Sequence, residues 1–103
     1  MDARRVRGLV GELVRRVVRR HLHELMACYE GGLKRNPNLQ DRVVVQFTIT
    51  SMGAVTERSV LSSTLNSDRV EGCILSAIAR WRFPKPEEGS VLVTYPFTFI
   101  TAN

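Results

Sequence analysis

Apolar residues recur at helical spacing from Val6 to Leu33, but along two directions rather than one. Val6, Leu9, Val10 and Leu13 define the first, where Gly8 and Gly11 weaken the helix. Val14, Val18, Leu22, Leu25, Cys28, Tyr29, Gly32 and Leu33 define the second. At about 100° per residue the two stripes differ by roughly a quarter turn or more, so they cannot meet one surface on a straight helix. The pattern predicts a packed helix over about 12–35, preceded by a basic mobile arm, 1–11, that adds little to stability. Gly32 lies in the buried stripe and suits a close approach of helix to sheet, and Asn36-Pro37-Asn38 stops the helix.

Three stretches alternate with period two. Val43, Val45, Phe47 and Ile49 face one way and Val44, Gln46, Thr48 and Thr50 the other, which predicts a strand with a core face and a wetter face. Ser51-Met52-Gly53 then makes a short turn in which Gly53 can take positive φ. A second strand, from about Ala54 to Ser62, alternates poorly and carries Glu57 and Arg58, as suits a blunted sheet edge. The last strand runs Val91 to Ile100, with Val91, Val93, Tyr95, Phe97 and Phe99 inward and Leu92, Thr94, Pro96 and Thr98 outward. Pro96 lacks an N–H, which sheets tolerate mainly at an edge.

Between the second and third strands, Val70, Cys73, Ile74, Ala77, Ile78 and Trp81 follow the spacing of an amphipathic helix. Asn66-Ser67-Asp68 offer its cap, Asp68 with Glu71 suggests a capping box, and Pro84 ends it. The order is α-β-β-α-β. If the first two strands form a hairpin, a helical crossover returns the third parallel to the second. A wholly antiparallel sheet then needs the third beside the first. The predicted fold is α+β: a three-stranded antiparallel sheet of order 2-1-3 with two helices on one face.

Length and charge refine this picture. A chain of 103 residues makes one domain, and 44% apolar residues is ordinary for a folded protein. No apolar run reaches the length of a membrane span and no secretory signal opens the chain, so it reads as soluble; a segment of a longer anchored protein stays open. Residues 1–20 carry seven Arg against Asp2 and Glu12, whereas residues 21–103 balance eight basic with eight acidic side chains. An Arg-rich end can hold nucleic acid or an anionic surface. No aromatic residue is interleaved there for base stacking, which disfavours nucleic acid.

Candidate chemistry is sparse. His21 and His23 stand about 200° apart on a helix and cannot chelate one metal together, so they read as surface histidines. Ser62-Ser63-Thr64 has no glycine-rich neighbourhood for an oxyanion hole or a phosphate cradle. No acid–base constellation, cofactor or metal site is expected. Cys28 and Cys73 fall on the buried stripes of the two helices, and from spacing alone a disulfide and two buried thiols stay equally open.

Taken jointly, Cys28-Tyr29-Glu30, Leu33, Asn36-Pro37, the strand Val43 to Ile49, Gly53-Ala54-Val55 and Ser63-Thr64-Leu65 carry a resemblance that continues through Cys73-Ile74, Trp81-Arg82-Phe83-Pro84-Lys85-Pro86, Gly89 and Tyr95-Pro96-Phe97. Over about residues 17–100 the chain resembles a TonB-like C-terminal domain, and within that group the AgmX/PglI C-terminal domain of myxobacterial gliding-motility and related proteins. The resemblance implies a non-catalytic periplasmic module at the end of an inner-membrane-anchored protein. It implies a grip on a segment of an outer-membrane or periplasmic partner by strand addition, and coupling to an inner-membrane motor complex. It also favours the Cys28–Cys73 bridge, since that compartment is oxidising. The expected partner-binding residues are Val91, Leu92, Val93, Thr94 and Tyr95, with Gln46 flanking on the wet face. The rivals are a nucleic-acid or anionic-surface binder using the Arg arm, and a small enzyme or protease inhibitor on a similar scaffold.

Overall fold

The structure, a computed structural model, describes residues 8–99, with side chains from residue 11 onward. Helix α1 spans Gly8–Arg35, strand β1 Arg42–Ile49, strand β2 Val55–Ser63, helix α2 Asp68–Ala79 and strand β3 Val91–Thr98. The sheet has the order β2-β1-β3 with both pairings antiparallel, so the expected α+β architecture is the observed one. Residues 1–7 of the expected arm, and Ile100 of the expected last strand, lie outside the described residues. Where description begins, at Gly8, the chain is already helical.

Strand β1 alternates without exception. Val43, Val45, Phe47 and Ile49 are buried on the helix side, and Val44, Gln46 and Thr48 are half-buried on the open side. From above, Val70, Ile74, Ala77 and Ile78 of α2 close the core, with Trp81 and Phe83 beyond its end. On α1, Val14, Val17, Val18, Leu25 and Tyr29 are buried. Val14 and Gly32, five turns apart, mark the middle of that line, and Leu22 stands about 80° round from it. Leu22 is therefore 38% exposed, contrary to its place in the expected stripe, while Val17 takes a core position.

Two further expectations are corrected. Gly32 does permit a close approach, but to α2 and the following loop rather than to the sheet. A Cβ there would stand 2.4 Å from Val70 Cγ2 and 2.9 Å from Leu39 Cδ2. Ser67, not Asp68, caps α2: its backbone is extended and its Oγ accepts from Val70 N–H at 3.2 Å. Asp68 and Glu71 thus sit inside the first turn, where they complement the helix dipole instead of forming a capping box.

The β1–β2 turn is built on Thr50 and Gly53. Thr50 N–H donates to Ala54 O and Gly53 N–H to Thr50 O, and the Thr50 hydroxyl accepts from Ala54 N–H at 3.1 Å. Gly53 adopts φ +86°, and a Cβ there would stand 2.1 Å from the Phe83 carbonyl oxygen. Phe83 N–H donates to Gly53 O in return. The turn and the segment leaving α2 are therefore locked backbone to backbone, and only glycine fits.

Candidate partner-binding edge

Strand β3 pairs with β1 through eight consecutive residues, from Arg42↔Thr98 to Ile49↔Val91, without a slip. Phe99 N–H donates to Asp41 O at 2.8 Å, which fixes the phase of the ladder. In an antiparallel pair the hydrogen-bonded positions alternate, so Phe97, Tyr95, Val93 and Val91 bond inward to β1. The main-chain groups of Leu92, Thr94, Pro96 and Thr98 then point away from the sheet. Among the described residues no strand pairs along that outer side. Pro96 stands at an outward position, where its missing N–H costs no ladder bond.

The six residues expected to bind a partner fall in one place. Val93 is buried, Val91, Thr94 and Tyr95 are half-buried, and Leu92 is exposed. Gln46, opposite Thr94, donates from Nε2 to Thr94 Oγ1 at 3.2 Å across the open face. Tyr95 leans on Phe97, with ring centroids 5.0 Å apart. Where β3 begins, Val91 also lines a cavity of about 360 Å³ with Ile49, Phe83, Pro84, Pro86 and α1 residues Leu13 and Val14. Sequence spacing gave no sign of that cavity, because its walls come from four separate segments.

Behind this edge the helices are fastened by two devices. Cys28 and Cys73 form a disulfide with Cα atoms 5.8 Å apart, joining α1 to α2 as the resemblance implied. The second was not foreseen. Trp81, 1% exposed, donates its indole N–H to Glu24 Oε1 at 2.9 Å, and His21 Nδ1 donates to Glu24 Oε2 at 2.7 Å. The His21 ring stacks on Trp81 with centroids 5.1 Å apart and an interplanar angle of 21°. His21 is therefore half-buried at a helix junction rather than a surface residue among arginines, whereas His23 is exposed as expected. The hydrogen bonds from His21 and then from Trp81 hold the Glu24 carboxyl below its usual value. The signal available in sequence was the His21–Glu24 spacing of one helical turn.

Tyr29 ties the far end of β3 to α1. Its hydroxyl donates to Leu39 O at 3.2 Å and its ring stacks on Phe99 at 4.7 Å. Among the described residues no helix is long and apolar enough to cross a membrane, and no three His, Cys, Asp or Glu side chains gather as a metal site.

Comparison with known proteins follows the same outline. Over 86 residues, 84% of this chain, the sequence is 35% identical to the tyrosine-protein kinase MasK of Myxococcus xanthus (strain DK1622). The chain spans 13% of that protein's length. The solution NMR structure of the Pseudomonas aeruginosa TonB CTD is similar with a TM-score of 0.53 and 29% identity, over 69% of this chain and 75% of that one. The NMR solution structure of the Helicobacter pylori TonB-CTD shares the fold with a TM-score of 0.57 at 24% identity, over 93% of this chain and 87% of that one. The family described as Gram-negative bacterial TonB protein C-terminal matches residues 34–101, more than half of the chain, and the chain belongs to that family.

Proposed function

We propose that this chain is a non-catalytic periplasmic binding module that takes up a short segment of an outer-membrane or periplasmic protein as a fourth strand along the outer side of β3. The observation that carries the reading is the ladder phase set by Phe99 and Asp41, which turns the main-chain groups of Leu92, Thr94 and Thr98 outward. An edge with unused donors and acceptors in register is a template for strand addition. Membership of a family of interaction modules supports a protein partner. The family's periplasmic setting and the Cys28–Cys73 bridge suit an oxidising compartment.

The resemblance noted in the sequence extends this to a force-transducing protein of gliding-motility type, joined to an inner-membrane motor complex through a longer parent. The kinase named for the myxobacterial relative lies in a protein of which this chain matches a small part, so that name carries no kinase role to this chain. The test is an amide-shift titration with candidate partner peptides at low and high salt. Shifts concentrated at residues 91–95 and insensitive to salt support strand addition. Shifts on the Arg residues of α1 that vanish at high salt would transfer peptide binding to the basic helix.

A further inference from the structure

The charge asymmetry of the chain becomes spatial once α1 is placed. Arg15, Arg16, Arg19 and Arg20 are all exposed. At about 100° per residue they occupy an arc of roughly 140° whose middle lies opposite the buried line through Val14 and Gly32. They form the crest of the helix. Glu12 sits among them, 3.7 Å from Arg15 and 3.8 Å from Arg19, and is the one acidic residue between Gly11 and Arg20. Among the described residues no carboxylate comes within ion-pair distance of Arg16 or Arg20. The remainder of the chain, 21–103, carries no net charge, so the field of the described domain is concentrated on this ridge.

We infer that the Arg crest of α1 is a docking surface for a layer of anionic phospholipid headgroups. Four features select that occupant. The crest is convex and stands on the longest element of the molecule: α1 has 28 residues, about 42 Å at 1.5 Å per residue, against a longest extent of 43 Å. A convex ridge can lie on a flat sheet of mobile phosphates, but it has no pocket for the anchoring side chains that a stable protein interface needs. Guanidinium groups suit phosphate oxygens through paired hydrogen bonds. Leu22, 38% exposed, lies two turns beyond Arg15 and about 20° from its line, so it borders the crest on the Arg15 flank as an apolar contact for the edge of the headgroup layer. No Phe, Tyr or Trp stands on the crest for stacking on bases, so nucleic acid fits less well. The apolar face of α1 stays in the core, and the helix lies on the surface without insertion.

The test is co-sedimentation of the 103-residue chain with vesicles of phosphatidylcholine alone or with about 30 mol% phosphatidylglycerol, at low and at roughly 0.3 M salt. Binding is expected with phosphatidylglycerol at low salt and lost at high salt. A basic residue near an anionic surface contributes about fivefold in partitioning, so Arg16→Gln with Arg20→Gln should weaken it about 25-fold. Leu22→Ser should weaken binding to vesicles but leave retention on a duplex oligonucleotide unchanged. Arg58→Gln with Arg80→Gln, away from the crest, should bind like the parent. Circular dichroism melts must match for every variant compared, and where Arg16→Gln/Arg20→Gln alters the fold, Arg16→Ala/Arg20→Ala, expected to lose binding to the same degree, replaces it. Equal binding to both vesicles, or full binding by the Arg16→Gln/Arg20→Gln protein, would overturn the proposal. Preference for the duplex at equal phosphate concentration, with Leu22→Ser neutral on vesicles, would replace it with nucleic-acid binding.

Discussion

Strands β2 and β3 flank the same central strand, yet they keep their partnership with it differently. β3 holds its register over all eight pairs. β2 loses register twice, between the partners of Val44 and Val45 and between those of Gln46 and Thr48, and Glu57 in the second irregularity adopts φ +52°. Bulges twist an edge away from regular pairing, and the charges of Glu57 and Arg58 on that side add a further barrier. β3 carries neither device and has Pro96 as its one interruption. One sheet thus has a bulged, charged edge and a regular one, and the regular edge is the one along which a partner strand is proposed.

The strongest way to disturb this contrast is through the bridge between the helices. Removing it with Cys28→Ala and Cys73→Ala, 45 residues apart in sequence, should cost about 4 kcal/mol in denaturant unfolding on the loop-entropy view. Because α2 packs over β2, hydrogen exchange should rise there before it rises in β3. Equal acceleration along both edges would show that the bridge does not favour one side.

Proline scanning of β3 tests the ladder phase directly. Val93→Pro removes an inward donor opposite Phe47 and should cost about 3 kcal/mol or more. Thr94→Pro removes an outward donor and should cost under about 1 kcal/mol while abolishing strand addition. Similar losses at both positions would mean that the outer side is not free.

Glycine replacement separates the two turns that lead into the edges. Gly53→Ala, where φ is +86° and a Cβ would collide with the Phe83 carbonyl, should cost about 2 kcal/mol. Gly89, just before β3, has φ +55° but open space around it, so Gly89→Ala should cost at most about 1 kcal/mol. Thermal melts compare the pair, and reversed sizes would contradict the lock between Gly53 and Phe83.

The smallest expected effect concerns the corner through which the chain passes from α2 towards β3. Glu24→Gln weakens the anchor of Trp81 and His21 and should cost about 1 kcal/mol near neutral pH, since the group is partly solvated. A carboxyl whose folded-state pKa is depressed adds stability above the unfolded-state value, and that stability is lost as pH falls through the folded value. The gap between parent and variant should therefore narrow on acidification below 4.5, followed through fluorescence of the sole tryptophan. A gap constant down to strong acid would exclude the proposed coupling.

The same contrast explains what could be read in the chain. Strands β1 and β3 were legible because every residue alternates with the pleat. β2 was not, since an extra residue reverses the faces. Val55 and Val60 are five apart, yet both oppose core-facing residues, Ile49 and Val45, because a bulge lies between them. The strand order followed from connection rules, and the outward positions of β3 from the same period of two. The Glu24 corner was hidden for another reason: Trp81 lies 57 residues away, and its stack on His21 exists only after the helices meet. The disulfide was open from spacing and was favoured only through resemblance.

The arrangement of β3 also sets an order of assembly. β1 and β2 are joined by a tight turn, whereas Ile49 meets Val91 and Arg42 meets Thr98 across 42 to 56 residues of chain. Local hairpins form on a scale of about 1–10 μs, and distant pairings wait for larger loop closures. The final strand is thus expected to dock last, with kinetic φ-values near 0 in β3 and higher ones at Val45 and Val60. Until then β1, the most buried strand of the finished sheet, has one unpaired side, and the chain passes through a brief stage in which newly made molecules are most prone to stick to each other.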